Sequence, residues 1–234
     1  MADSSIKILF ILTSQSTMGD YPQPTGVWFE ELSTPYYIFV DSGVEVDIAS
    51  SAGGQIPIDP HSLQAEGADP ASVERFLKDK SAMAKLTHSS KLDRLCSTDY
   101  SAVFLPGGHG TMWDLPMNSQ LVDLLSSVWA DGKVIAAVCH GPAGLVNVKD
   151  TNGQLVLTGR RVSAFTNSEE EIAGLTKKVP FLLETRIREL GAKYERGVDF
   201  QPFAVRDGNL VTGQNPASSE MVANLVLEAV RHIR

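Results

Sequence analysis

Apolar positions along this chain fall into short unbroken runs separated by longer stretches with helical spacing. Ile6-Lys7-Ile8-Leu9-Phe10-Ile11-Leu12-Thr13 is apolar nearly throughout, which predicts a strand buried on both faces. Residues 14–25 are polar, hold glycine and proline, and read as a loop. Residues 26–41 then place Trp28, Leu32, Tyr36 and Phe39 on one side of a helix, with Pro35 expected to kink it or start a second segment. Ser42-Gly43 ends the helix, and Val44-Glu45-Val46-Asp47-Ile48-Ala49 predicts a second strand. This is a βαβ unit, the building block of a parallel sheet.

Residues 50–98 are less regular, with Gly53-Gly54, Pro57, Pro60, Pro70 and two or three short helical patterns. They read as an insertion or cap over the sheet edge, inside a single domain spanning 1–234. The βα rhythm resumes with a strand at 102–106, the loop Gly107-Gly108-His109-Gly110, a helix at 119–130 and a strand at 134–138. Further strands are expected at 155–158, 161–165 and 209–213, and helices at 180–190 and 218–233. No internal repeat or low-complexity linker interrupts the pattern.

Composition narrows the class of function. The 234 residues are 43% apolar and 21% charged, which suits a folded globular chain and excludes a disordered one. A net charge of −8 argues against nucleic-acid or anionic-membrane partners. No run of about twenty apolar residues predicts a membrane span. Residues 1–5 are short and polar, unlike a secretory leader. Cys96 and Cys139 are the two cysteines, too few for a disulfide scaffold, so a reduced cytoplasmic setting is expected.

Candidate chemistry concentrates in Lys133-Val134-Ile135-Ala136-Ala137-Val138-Cys139-His140-Gly141-Pro142. A buried strand that stops and turns into a helix would put Cys139 at the helix N-terminus, where the dipole and free N–H groups favour a thiolate. Open α/β sheets bind ligands at the carboxyl ends of their strands, which is where Cys139 and Gly107 fall. His140 is the candidate base, although adjacency in sequence does not ensure contact with Cys139. The glycines of Gly107-Gly108-His109-Gly110 would let backbone N–H groups approach a ligand as an oxyanion site requires; alternatively the loop is a tight turn and His109 an exposed loop residue. No Lys-Ser/Thr pair comes after it, so it is not a phosphate-binding loop.

Ser168 and Glu171 match a helix capping box, which leaves Glu169 and Glu170 to be solvated or to orient a histidine. Glu31, beside Glu30, is either a solvated charge or faces Cys139. In the second case burial would keep it protonated, able to donate a hydrogen bond to sulfur. His61, His88, His109, His140 and His232 are scattered without metal-ligand spacing, so no metal is expected. Cys96 reads as an inert residue on an apolar helix face.

Ala137-Val138-Cys139-His140-Gly141-Pro142 resembles the nucleophile turn of the DJ-1/PfpI superfamily. Four further segments resemble its heat-shock chaperone and glyoxalase III branch: Thr25-Gly26-Val27-Trp28-Phe29-Glu30-Glu31, Pro106-Gly107-Gly108-His109-Gly110-Thr111, Phe165-Thr166-Asn167-Ser168-Glu169-Glu170 and Thr212-Gly213-Gln214-Asn215-Pro216-Ala217-Ser218. The resemblance spans nearly the whole chain. It implies a flavodoxin-like, doubly wound and mainly parallel α/β sheet with helices on both faces and a small cap, usually dimeric. It also implies a triad of Cys139, His140 and Glu170, with Glu31 as the acid beside the cysteine. Gly107, Gly108 and His109 would line the oxyanion and substrate site, with the amides of Gly108 and His140 as donors. The metal site and extended N-terminal segment of the larger chaperone members find no clear match here.

The expected activity is therefore a cofactor-free, glutathione-independent glyoxalase that takes a small reactive aldehyde, methylglyoxal, to lactate through a cysteine hemithioacetal. The partners expected are that aldehyde and a second copy of the chain. A cysteine amidase or peptidase, or a stress chaperone or redox sensor using Cys139 by reversible oxidation, are the alternatives.

Overall fold

The computed structural model describes residues 6–64 and 69–232. Residues 1–5, on which the leader reading rests, part of the 50–98 insertion and the end of the closing helix lie outside that description.

The first apolar run forms β1 (Lys7–Leu12), whose alternate side chains serve two different cores. Ile8, Phe10 and Leu12 point into one and Leu9 and Ile11 into the other. A strand apolar at every position after Lys7 therefore lies in the middle of a sheet covered on both faces. After it, the loop carries a small hairpin, β2 (Thr17–Met18) and β3 (Tyr21–Pro24). Helix α1 (Phe29–Asp41) begins later than its apolar spacing predicts, because Val27 forms an isolated parallel bridge with Ile58 and Trp28 is extended, with ψ = 116°. It runs through Pro35 without breaking.

The next elements are β4 (Glu45–Ser50), α2 (Pro70–Lys78), α3 (Lys80–Thr87) and β5 (Ser90–Lys91). Asp69 caps α2 and Asp79 caps α3, each through two backbone amides. The irregular segment thus extends the sheet by an edge strand and shares its core through Phe76 and Leu86. Then come β6 (Ala102–Leu105), α4 (Thr111–Asp114), α5 (Ser119–Ala130) and β7 (Val134–Val138). The last part holds β8 (Arg161–Val162), α6 (Asn167–Ile172), α7 (Leu183–Glu189), β9 (Lys193–Tyr194), β10 (Ala204–Asp207), β11 (Leu210–Gly213) and α8 (Ser219–His232).

The main sheet has the order β10-β11-β7-β6-β1-β4-β5. Only β10 is antiparallel, to β11; every other pair is parallel. Helices α1 and α8 cover one face, α5 and α7 the other. The chain moves outward from β1 to β4 and β5, then returns to the other side of β1 with β6. That reversal is the topological switch point, and the loops after β1, β6 and β7 emerge around it.

Three sequence expectations fail locally. Residues 155–158 turn rather than form a strand, with one isolated bridge from Lys149 to Leu155. The strand expected at 161–165 stops at Val162, since the Ser163 amide turns to the Thr212 hydroxyl and the Phe165 amide to the Cys139 carbonyl. The turn after β7 leads into a five-residue 3-10 segment, Gly141–Leu145, not an α-helix. The edge strand β10 has no counterpart in the apolar pattern.

Candidate active site

Strand β7 delivers Cys139 to the carboxyl edge of the sheet. There the backbone takes φ = +60°, a left-handed conformation uncommon for a residue with a side chain. Two hydrogen bonds fix it: the Cys139 amide donates to the Gly213 carbonyl (3.0 Å), and the Phe165 amide donates to the Cys139 carbonyl (2.9 Å). The side chain is only 4% exposed but lines a cavity of about 430 Å3. His140, Gly108 and His109 line the same cavity.

His140 does contact its neighbour. Its Nδ1 lies 3.2 Å from the Cys139 sulfur, and its Nε2 lies 2.8 Å from Glu170 Oε2. Glu170 Oε1 is 2.8 Å from His109 Nε2, so one carboxylate bridges two imidazoles. Burial alone would raise the Glu170 pKa, but the two histidines outweigh it and hold the carboxyl far below its usual range. The ionised Glu170 keeps a proton on His140 Nε2 and leaves Nδ1 open toward sulfur. Burial, and then His109, push the His140 pKa down against the pull of Glu170. The imidazole is therefore neutral, as a base must be.

Glu31 sits on the other side of the sulfur. It is fully buried in the first turn of α1, and its Oε2 accepts the Gly107 amide at 2.6 Å. Burial raises its pKa well above the usual carboxylate value; the hydrogen bonds from the Cys139 thiol and the Gly107 amide oppose this only in part. The thiol is likewise raised, by burial first and then by the Glu31 charge. Two buried groups in contact cannot both ionise, so they titrate as a pair. With the proton on Glu31, its charge no longer opposes the thiolate and its O–H can donate to sulfur. The His140 amide also points to the sulfur and lowers the thiol pKa.

The helix-dipole account of the thiolate is thus corrected, because the chain leaves Cys139 through a short 3-10 turn rather than an α-helix. Gly107 is corrected as well: its amide is spent on Glu31 and it does not line the cavity. Gly108 remains suited to ligand contact. At φ = +96° it packs so closely that a Cβ would lie 2.1 Å from the Gly26 carbonyl oxygen, so only glycine fits. His109 is not a freely exposed loop residue, for it lines the cavity beside Gly108. It is a second partner of Glu170, its ring centroid 4.0 Å from that of His140.

The run Glu169-Glu170-Glu171 divides cleanly. The capping box belongs to Thr166 and Glu169, not to Ser168 and Glu171. Glu169 is buried and accepts from the Thr166 amide and hydroxyl and the Phe200 amide, and from the Gln214 and Asn215 side-chain amides. Glu171 is exposed, while Ser168 donates to Asp199. Among the described residues, His109, His140 and Glu170 are the one group with metal-ligand geometry, their ligand atoms all within 4.8 Å of one another. Their hydrogen bonds already satisfy one another. Cys96 lies far from its expected helix face: it is exposed before a 3-10 turn, and the Thr98 hydroxyl lowers its thiol pKa.

Further residues complete the cavity. Phe165 stacks on His140 with ring centroids 4.5 Å apart, and Trp28, Glu30, Asp59, His61 and Phe200 also line the wall. Burial raises the Glu30 pKa to about 7, opposed by a hydrogen bond from the Asp69 amide. No helix among the described residues is long and apolar enough to cross a membrane.

The DJ-1/PfpI family model matches residues 25–229. Glutathione-independent glyoxalase HSP31 of Saccharomyces cerevisiae is 34% identical, covering 97% of this chain and 98% of its own. Rapid Encystment Protein REP24 of Francisella tularensis superposes with a TM-score of 0.92 at 38% identity, over 96% of this chain and 99% of that one. Glyoxalase III of Candida albicans superposes with a TM-score of 0.86 at 31% identity, covering 96% and 97%.

Proposed function

The chain belongs to the DJ-1/PfpI family, and from that membership we propose that it is a glutathione-independent glyoxalase turning methylglyoxal into lactate. One observation carries the reading: a cysteine at a cavity wall is held between the His140 imidazole and the buried Glu31 carboxyl. Relatives named for this activity support it.

His140 Nδ1 takes the thiol proton, and the Cys139 thiolate attacks the aldehyde carbon of methylglyoxal. The carbonyl π-pair moves to oxygen, for which the amides of Gly108 and His140 are the proposed donors. Protonation of that oxygen gives a hemithioacetal. Removal of the C1 proton and its return to C2 through an enediol oxidises C1 and reduces C2 within one molecule. His140 and Glu31 are the groups at hand for those transfers, and no external electron acceptor enters the balance. The product is a thioester of lactate on Cys139. Water cleaves it, the sulfur leaving as thiolate and the acyl carbon taking hydroxide. Glu170 acts by holding the His140 tautomer.

The decisive assay is lactate formation from methylglyoxal by wild type and Cys139→Ala. Lactate is expected from the first, and a rate at least ~10^3 lower from the second. Absence of lactate from wild type, or equal rates from both, would defeat the proposal.

A further inference from the structure

We infer that this cavity is shaped for 2-oxoaldehydes whose substituent is apolar and larger than methyl, such as an aryl group, and that Phe200 sets the preference. The inference rests on the glyoxalase reading and specifies its substrate class.

Size is the first argument. Methylglyoxal has five heavy atoms; at no more than about 30 Å3 each they fill roughly 150 Å3. The cavity is about 430 Å3, within the range that holds much larger ligands. Its apolar lining includes Met18, Trp28, Phe165, Leu175 and Phe200. Two of the polar side chains there are engaged, since Gln23 accepts from Lys178 and Asn215 donates to Glu169 and to the Gln201 carbonyl, while the Trp28 indole N–H has no partner among the described residues. An anionic substituent would meet Glu30 and Asp59. Apart from Glu30, Asp59, His61 and the Trp28 N–H, the lining open to a substituent is mainly apolar.

Backbone strain is the second, independent argument. Among the described residues, two that are not glycine have positive φ: Cys139 at +60° and Phe200 at +57°. Both line this cavity. Strain of this kind persists where the surrounding structure enforces it, and it gathers at functional sites. Here the enforcing contact is the Phe200 amide donating to Glu169 Oε1 at 2.8 Å. The ring so placed is 42% exposed, so core packing does not account for it. It stands edge-on to Phe165, with centroids 6.2 Å apart at 67°, and Phe165 stacks on His140. A row of rings thus runs from the base to the cavity mouth, and an aryl group on the substrate would pack along it.

The experiment compares phenylglyoxal with methylglyoxal as substrates of wild type and Phe200→Gly, reading kcat and KM for hydroxy-acid formation. Glycine takes φ = +57° freely, so the variant folds and melts no lower than wild type. Wild type should show kcat/KM for phenylglyoxal at least about tenfold above that for methylglyoxal. Phe200→Gly should lose about tenfold or more on phenylglyoxal, mainly through KM, and several-fold less than that on methylglyoxal. Ala217→Phe, which narrows the same cavity without touching Phe200, should cut phenylglyoxal turnover selectively. Methylglyoxal turnover with phenylglyoxal no better, or equal losses on both substrates in Phe200→Gly, overturns this inference alone. No turnover of either substrate by wild type overturns the glyoxalase reading and this inference with it.

Discussion

Glu31 in the first turn of α1 and Glu170 in α6 flank one Cys139–His140 pair, and both are buried, yet they differ in charge. Glu170 has an imidazole on each oxygen and stays ionised. Glu31 has one backbone amide and a thiol, its Oε1 has no partner of good geometry, and it keeps its proton. Burial costs each carboxylate its hydration, and the difference lies in whether cationic or N–H partners replace it. A site that needs one acid and one anion thus obtains both from the same residue type. Glu169 marks a third outcome: five hydrogen bonds turn it into a structural tie between α6, the Phe200 loop and Asn215.

The sharpest way to break the contrast is to make each acid permanently neutral. Glu31→Gln keeps an acceptor for the Gly107 amide but has no proton to transfer. Methylglyoxal kcat should fall by about 10^3, within the range of lost acid–base catalysis, with melting little changed. Retention of activity within a few-fold would remove Glu31 from the chemistry. Glu170→Gln should cost less, about 10^2, because stacking on Phe165 still orients the His140 ring. That variant's pH–rate profile should shift, since the carboxylate no longer fixes the imidazole proton. A Glu170→Gln enzyme with an unaltered rate and profile would contradict the tautomer argument.

The smallest effect separates the two acids by the sign of their pH dependence. Glu31 has a native pKa above the ordinary 4.5, so above that value the unfolded chain has released a proton that the native state retains. Its contribution to stability is complete below the unfolded pKa and is lost as pH rises. Glu170 has a native pKa below 4.5, so its contribution is present above that value and lost as pH falls. The melting temperature of Glu31→Gln minus that of wild type should therefore rise from about pH 5 to about pH 8, by at most about 3–5 °C per pH unit. For Glu170→Gln the deficit against wild type should shrink as pH falls from about 5 toward about 3. Parallel melting curves for all three proteins would show that the two carboxyls do not differ as described.

Much of the scaffold is legible in the sequence because its signals are local. An apolar run with no polar face, as in β1 and β7, can only be a strand covered on both sides, and α5 comes out of its spacing without error at either end. Cys139 is legible for the same reason, since it ends a buried strand just before Gly141-Pro142. Capping is misread at Ser168 because Thr166, two residues earlier, also carries a hydroxyl and has Glu169 three positions on. Spacing alone scores both alike; the choice comes from Phe200, Gln214 and Asn215, which claim Glu169 from distant parts of the chain.

The amino-acid order by itself determined a parallel α/β layering and set a cysteine and a histidine side by side at a strand end, because period and turn chemistry act over a few residues. Tertiary structure alone decided which glutamate is charged, that Gly107 serves Glu31 rather than a ligand, that His109 pairs with Glu170, and that Phe200 belongs to the site. Those outcomes depend on desolvation and on hydrogen-bond partners that lie tens of residues away, such as Gly107 from Glu31 or His109 from Glu170, and no local pattern encodes them.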